Sequence, residues 1–207
     1  ERERERGRER ERQYRQFIYN MLLTSETAYG GVLSVLSQYL SPLLSETRLT
    51  KCFTAGEISV VRSAASHIAT MSTVSHALQM SARQCVEAFT DSSKQDPRAD
   101  DLFQPALVAH FAVYKDYATL LRDLWLVLLG PKTHRKVTKY LEERQRQLRR
   151  ASTKDLRAAQ SSGISVPYGL EQLLQIPPRR LRRYAECMES LLTHSPRERG
   201  GEAEGEG

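Results

Sequence analysis

This chain has no apolar run near the ~20 residues a membrane-spanning helix needs, and its first residues form no apolar signal region, so neither a span nor secretion is expected. Cysteine is scarce. Cys52, Cys85 and Cys187 are odd in number and show no C-x-x-C spacing. They read as reduced, partly buried thiols of a cytosolic protein, neither a disulfide framework nor a zinc site. The five histidines form no H-x-x-x-H pair, so no metal site is expected. No Ser/His/Asp or Cys/His arrangement has a spacing that argues for nucleophilic catalysis. Gly130-Pro-Lys-Thr133 looks like the end of a phosphate loop only superficially, because Trp125 stands where the upstream glycine belongs and no strand precedes it. The single tryptophan, Trp125, is expected in the core. No stretch alternates long enough to argue a sheet. These absences remove bond chemistry, cofactors and metals from the expected function.

What remains is an ordinary globular composition with uneven charge. The 207 residues suit one domain with a sizeable core, and 40% hydrophobic with 27% charged residues is unremarkable. The net charge of +6 is concentrated. Between Lys132 and Lys154 nine Lys/Arg face only Glu142 and Glu143, and Arg179, Arg180, Arg182 and Arg183 add a second block. Such blocks suit an acidic partner surface, anionic lipid headgroups or nucleic acid phosphates. A merely solvated helix face is the competing reading.

The chain divides into three parts. Residues 1–12 alternate Glu and Arg and have no apolar face to bury, so they read as disordered or, at most, a solvated helical extension. Residues 197–207 are Gly/Glu-rich and read as a disordered tail. The folded unit is expected over 13–196, all-α, as an elongated helical bundle.

Its first helix carries Tyr14, Phe17, Ile18, Met21, Leu22, Tyr29, Val32, Leu33, Leu36 and Leu40 at three- and four-residue steps, a broad core stripe ending or kinking at Pro42. A second helix starts at the capping-box spacing Thr54-Ala-Gly-Glu57, with Ile58, Val61, Ala65, Ile68, Val74 and Leu78 inward. After the polar loop 91–101, a third helix runs from Phe103 through Phe111, Tyr114 and Tyr117 to Leu128, where Gly130-Pro131 stops it. A fourth spans about Thr133 to Ala159. Beyond the linker Ser161-Ser-Gly-Ile-Ser-Val-Pro167, a last helix spans about Tyr168 to Thr193 and is interrupted at Pro177-Pro178.

On the first helix Glu26 is expected to point away from the core stripe, sharing a face with Tyr19, Leu23 and Gly30. From the residues alone it is either a solvated glutamate or part of a partner-contact patch. The surrounding Asn20-Met-Leu-Leu-Thr-Ser-Glu-Thr-Ala-Tyr29, continuing to Tyr39-Leu-Ser-Pro-Leu43, resembles the first conserved region of Dbl-homology domains, the exchange factors of Rho-type small GTPases. Ala112-Val-Tyr-Lys-Asp-Tyr117 resembles the second region. Leu170 to Pro196 resembles the third, with Leu173, Leu174, Pro177, Arg180, Arg183, Tyr184, Leu191, Leu192, His194 and Pro196 in register.

The resemblance covers about 13–196 and implies a guanine-nucleotide exchange factor for a Rho-family small GTPase, acting without bond chemistry of its own. It implies a contact set of Glu26, Leu23 and Gly30 against switch 1 and of Leu173, Ile176, Arg179, Arg180 and Arg183 against switch 2. Ile176 stands where the family usually has a switch-contacting lysine, and Arg179 where a glutamine is common. The family's last helix normally continues some way past this point, whereas here the sequence turns to Arg-Glu-Arg-Gly-Gly. No pleckstrin-homology module fits in the last eleven residues. Two alternatives stay open. One is a degenerate Dbl-like scaffold that binds a GTPase or another protein without exchange. The other is a basic helical module binding anionic lipid or, less expected, nucleic acid. The expected location is cytoplasmic, with recruitment to an anionic membrane through Lys132–Lys154.

Overall fold

The computed structural model describes residues 2–90, 96–151 and 169–194, and among these it is an all-α bundle without strands. The helices are α1 (Arg2–Ser45), α2 (Thr47–Thr50), α3 (Ala55–Thr90), α4 (Ala99–Leu102), α5 (Pro105–Val108), α6 (Ala112–Leu129), α7 (Arg135–Ala151), α8 (Leu170–Leu174) and α9 (Ile176–Thr193). At ~1.5 Å per residue, the 44 residues of α1 reach ~66 Å and the 36 of α3 ~54 Å. This pair is the long axis of the bundle. The tail 197–207, the linker 161–167 and the basic stretch beyond Ala151 lie outside the described residues.

The first twelve residues resolve toward the helical extension: α1 begins at Arg2 and stays exposed through Glu11. Arg12 is where it joins the fold. Its Nε donates to Asp96 Oδ1 at 3.0 Å and its Nη2 to the Phe89 carbonyl at 2.9 Å. The stripe beyond it is narrower than its hydrophobic residues suggest. Ile18, Tyr19, Leu22, Tyr29, Val32, Leu33, Leu36 and Leu40 are buried, whereas Tyr14, Phe17 and Met21 are exposed. At roughly 100° per residue Tyr14 and Met21 share their angle with Val32 and Tyr39, which are buried further along α1. These three are exposed because the start of the helix is covered over a narrower arc, so their place in the core stripe is corrected.

Pro42 does not end α1, which runs three residues further to Ser45. A proline cannot donate to the carbonyl four residues back, and the freed Gln38 carbonyl accepts the Tyr140 hydroxyl of α7 at 3.3 Å. Pro178 repeats the device in the last helical segment, which breaks at Gln175 and restarts as α9 with prolines in its first turn. Leu174, four residues before Pro178, has its carbonyl taken by the Tyr117 hydroxyl at 3.2 Å.

The remaining boundaries follow local chemistry. Thr54 and Glu57 form the expected capping box, with Thr54 N donating to Glu57 Oε2 at 2.7 Å and Glu57 N to Thr54 Oγ1 at 3.3 Å. The third helical segment is not continuous from Phe103. The short helices α4 and α5 and a 3-10 turn (Ala109–Phe111) precede α6, because Pro105 starts a new helix. Gly130 ends α6, and a Cβ there would lie 2.3 Å from the Leu126 carbonyl oxygen.

In the core, α1 beyond its exposed start packs on α3 and α3 on α6, while α9 packs on both α6 and α1. Tyr114 and Tyr117 are buried and Phe111 stacks on Tyr184 with ring centroids 5.1 Å apart. Trp125 departs from expectation, being 36% exposed on the outer face of α6. Among the described residues no helix is long and apolar enough to cross a membrane.

Candidate functional site

Glu26 and Arg180, 154 positions apart, meet where α1, α3 and α9 converge. Arg180 Nε donates to Glu26 Oε1 at 2.7 Å, and its Nη2 donates to the same oxygen. Arg180 Nη2 also donates to Ser25 Oγ at 2.7 Å. From α3, Ser75 Oγ donates to Glu26 Oε2 at 2.6 Å, and Gln79 Nε2 to the Glu26 carbonyl at 3.1 Å. The guanidinium is sandwiched by the Tyr29 and Tyr184 rings, 5.3 and 5.2 Å from their centroids. Glu26 is 0% exposed and Arg180 4%.

Burial alone would lower the Arg180 pKa. The Glu26 carboxylate more than offsets this, so the guanidinium is held above its ordinary value. Burial first, and the Glu26 charge next, push the Tyr184 hydroxyl far up, so it stays protonated and shares a hydrogen bond with Tyr114 at 3.3 Å.

The expectation of an outward-pointing Glu26 is therefore corrected. Four residues after Leu22, three before Tyr29 and seven before Leu33, all buried, Glu26 lies within the core stripe of α1 by helical register. A buried arginine far along the chain and a serine of α3 neutralise and solvate the carboxylate, which makes burial tolerable. Leu173 is likewise in the core. Leu23 and Gly30 are half-buried. A Cβ at Gly30 would come within 3.1 Å of Gln79 Nε2, so its close approach is internal to the bundle. Ile176 is half-buried, while Arg179 and Arg183 are exposed and Arg179 Nη2 donates to Gln175 Oε1 at 2.9 Å.

The structure brings a different set together at the surface. Helices α1 and α9 run antiparallel, since Arg15 Nη1 donates to the His194 carbonyl at 3.0 Å, Tyr14 packs on the His194 ring at 4.1 Å and Arg180 reaches Ser25. The exposed edge of α1 along this seam carries Tyr14, Phe17 (61% exposed) and Met21 (49%). On α9, Ile176, Arg179 and Arg183 fall by helical register on the side of His194, toward α1. By the same antiparallel pairing, the apolar strip lies toward the His194 end of the seam and Arg179 and Arg183 lie at the end that holds the Glu26–Arg180 pair.

Sequence reasoning missed Tyr14, Phe17 and Met21 by assigning them to the core. No local signal separates them, because Val32 and Tyr39 occupy the same angular positions on α1 as Tyr14 and Met21 and are buried. A groove between α6 and α8, about 510 Å³, is lined by Leu121, Arg122, Trp125, Leu126, Glu171 and Gln175 among others and was also not expected. Among the described residues no cluster of His, Cys, Asp and Glu could hold a metal. No protein-family model, curated protein or solved structure matches this chain, so its likeness to Dbl-homology domains rests on its own residues.

Proposed function

We propose that this chain is a guanine-nucleotide exchange factor for a Rho-type small GTPase. The observation that supports this reading is the junction of Ser25, Glu26 and Arg180. It joins the two segments that resemble the family's first and third conserved regions into one continuous seam, although about 150 residues separate them. Exchange then follows from linkage. A surface that binds the nucleotide-free GTPase better than the loaded form must weaken nucleotide binding by the same factor. The contact set is revised to the exposed groups on the seam: Phe17 and Met21 supply apolar area, and Arg179 and Arg183 supply charge for acidic groups of the switch regions. Glu26 and Arg180 hold the two helices in register beneath them.

Release of a fluorescent GDP analogue from a panel of Rho-type GTPases tests the reading. Acceleration on at least one member is expected. The double variant Arg179→Glu/Arg183→Glu should lower it about tenfold or more, since each charge-assisted hydrogen bond lost is worth ~1.5–3 kcal/mol. No acceleration on any member sinks the exchange reading.

One observation favours a scaffold that binds without exchange. Glu26, the acid of the first conserved region, is already fully engaged by Arg180 and Ser75. Ile176, at the usual lysine position, has no charge to offer. Retention of a GTPase on the immobilised chain without faster nucleotide release would establish that reading instead.

A further inference from the structure

The helix α7 carries a second surface, far from the α1–α9 seam. Its inner face is locked: Val137 and Leu141 are buried, and Tyr140 donates to the Gln38 and Tyr39 carbonyls at 3.3 and 3.2 Å. Arg144 Nη2 donates to Gln38 Oε1 at 2.6 Å. These contacts fix α7 to the far end of α1. Gln38 lies twelve residues beyond Glu26, ~18 Å along the helix axis.

The solvent side of α7 carries Arg135, Lys136 and Lys139, preceded by Lys132 in the turn before the helix, all exposed, with no Asp or Glu between them. Among the described residues none of these four forms an ion pair, and Arg146 adds a fifth exposed cation beyond Glu142, paired to Glu143 at 3.1 Å. This arrangement works against the helix. Cations in a first turn oppose the positive end of the helix dipole, where Asp or Glu would stabilise, and the first turn of α7 contains no acidic residue. A concentration of like charge that weakens its own element points to a role outside folding.

We propose that this face of α7 docks the protein on an anionic lipid surface. The chemistry fits a lipid headgroup layer in three respects. The cations are solvent-facing on one side of an amphipathic helix, the pattern that binds acidic phospholipid. The helix is held rigidly by the bundle, so no ordering is needed on docking. No Phe, Tyr or Trp ring accompanies the cations on the exposed side, since Tyr140 is turned inward, whereas a single-stranded nucleic acid surface would use such rings for stacking. Docking by α7 leaves the α1–α9 seam open to a partner. The inference is independent of the exchange reading.

Co-sedimentation with vesicles tests it, comparing phosphatidylcholine alone with phosphatidylcholine containing phosphatidylserine. The full chain should bind only the phosphatidylserine vesicles, and binding should fall as salt rises. Arg135→Glu/Lys139→Glu should weaken it by at least the ~5-fold per charge expected for surface cations. Arg83→Glu, on an exposed face of α3, should leave it unchanged apart from the small loss in net charge. The test is protected from misfolding, because glutamate in the first turns of α7 suits the helix dipole and thermal unfolding should not move downward. Equal binding to neutral vesicles overturns the proposal, as does an equal loss with Arg83→Glu. Tighter binding to a duplex oligonucleotide, lost in the α7 variant, would reassign the surface to nucleic acid.

Discussion

A buried glutamate is tolerable only while its partners remain, which makes Glu26 and Arg180 a unit. Removing one charge strands the other in the interior at a cost of ~3–5 kcal/mol, whereas replacing both with apolar residues of similar volume is often close to neutral. Glu26→Ala should therefore lower the free energy of urea unfolding by ~3–5 kcal/mol. Glu26→Leu/Arg180→Met should recover most of that loss, and a strictly additive double variant would contradict the pairing. Loss of exchange in Glu26→Ala consequently reports on folding before it reports on a contact.

The cysteines are governed by burial too. Cys85 and Cys187 are buried, and desolvation pushes their thiols up from 9.0 to about 12 and about 11. A pKa raised on folding favours the protonated form in the native state. The stability it contributes is present below pH 9 and is lost as pH rises through the folded values. Unfolding free energy should thus decline from pH 9 toward pH 11, less steeply in Cys187→Ala after correction for its cavity. At neutral pH a thiol-specific reagent should label the half-buried Cys52 ahead of the other two.

Helices of this chain accommodate prolines by borrowing tyrosine hydroxyls. Tyr140 satisfies the Gln38 carbonyl that Pro42 cannot reach, and Tyr117 does the same for the Leu174 carbonyl behind Pro178. The second is the more consequential because Tyr117 is fully buried. Tyr117→Phe leaves a buried carbonyl without a donor and should cost ~1–3 kcal/mol. Tyr140→Phe, at a half-exposed site, should cost less. Equal thermal shifts for the two would argue against this account. Element boundaries were legible where they depend on neighbours in sequence, as with Thr54 and Glu57 or Gly130. They were not legible where a donor arrives from another helix, which is why Pro42 reads as an end or a kink and α1 continues past it.

Across the whole molecule, Arg12, Arg15 and Asp96 tie the start of the packed part of α1 to the chain between α3 and α4, and Arg15 reaches on to the end of α9. Residues 2–11 lie outside this clasp and stay exposed. Deleting them should shift the unfolding midpoint negligibly, whereas Asp96→Ala releases two arginines and should lower it measurably in a calorimetric scan. The candidate seam is a product of the same global arrangement. Its apolar strip was present in the sequence as Tyr14, Phe17 and Met21, yet it could not be separated from the core without knowing which side of α1 the other helices occupy.

The all-α class, the capping box of α3, the stop at Gly130 and the basic character of α7 were determined by the sequence itself. Each depends on periodicity or on residues within about one helical turn of one another. Tertiary structure alone decided which groups compensate the Glu26 charge, the exposure of Trp125 and the pairing of α1 with α9. These depend on partners about fifty or more positions away, and a side chain's solvation is set by what packs against it, which local pattern does not encode.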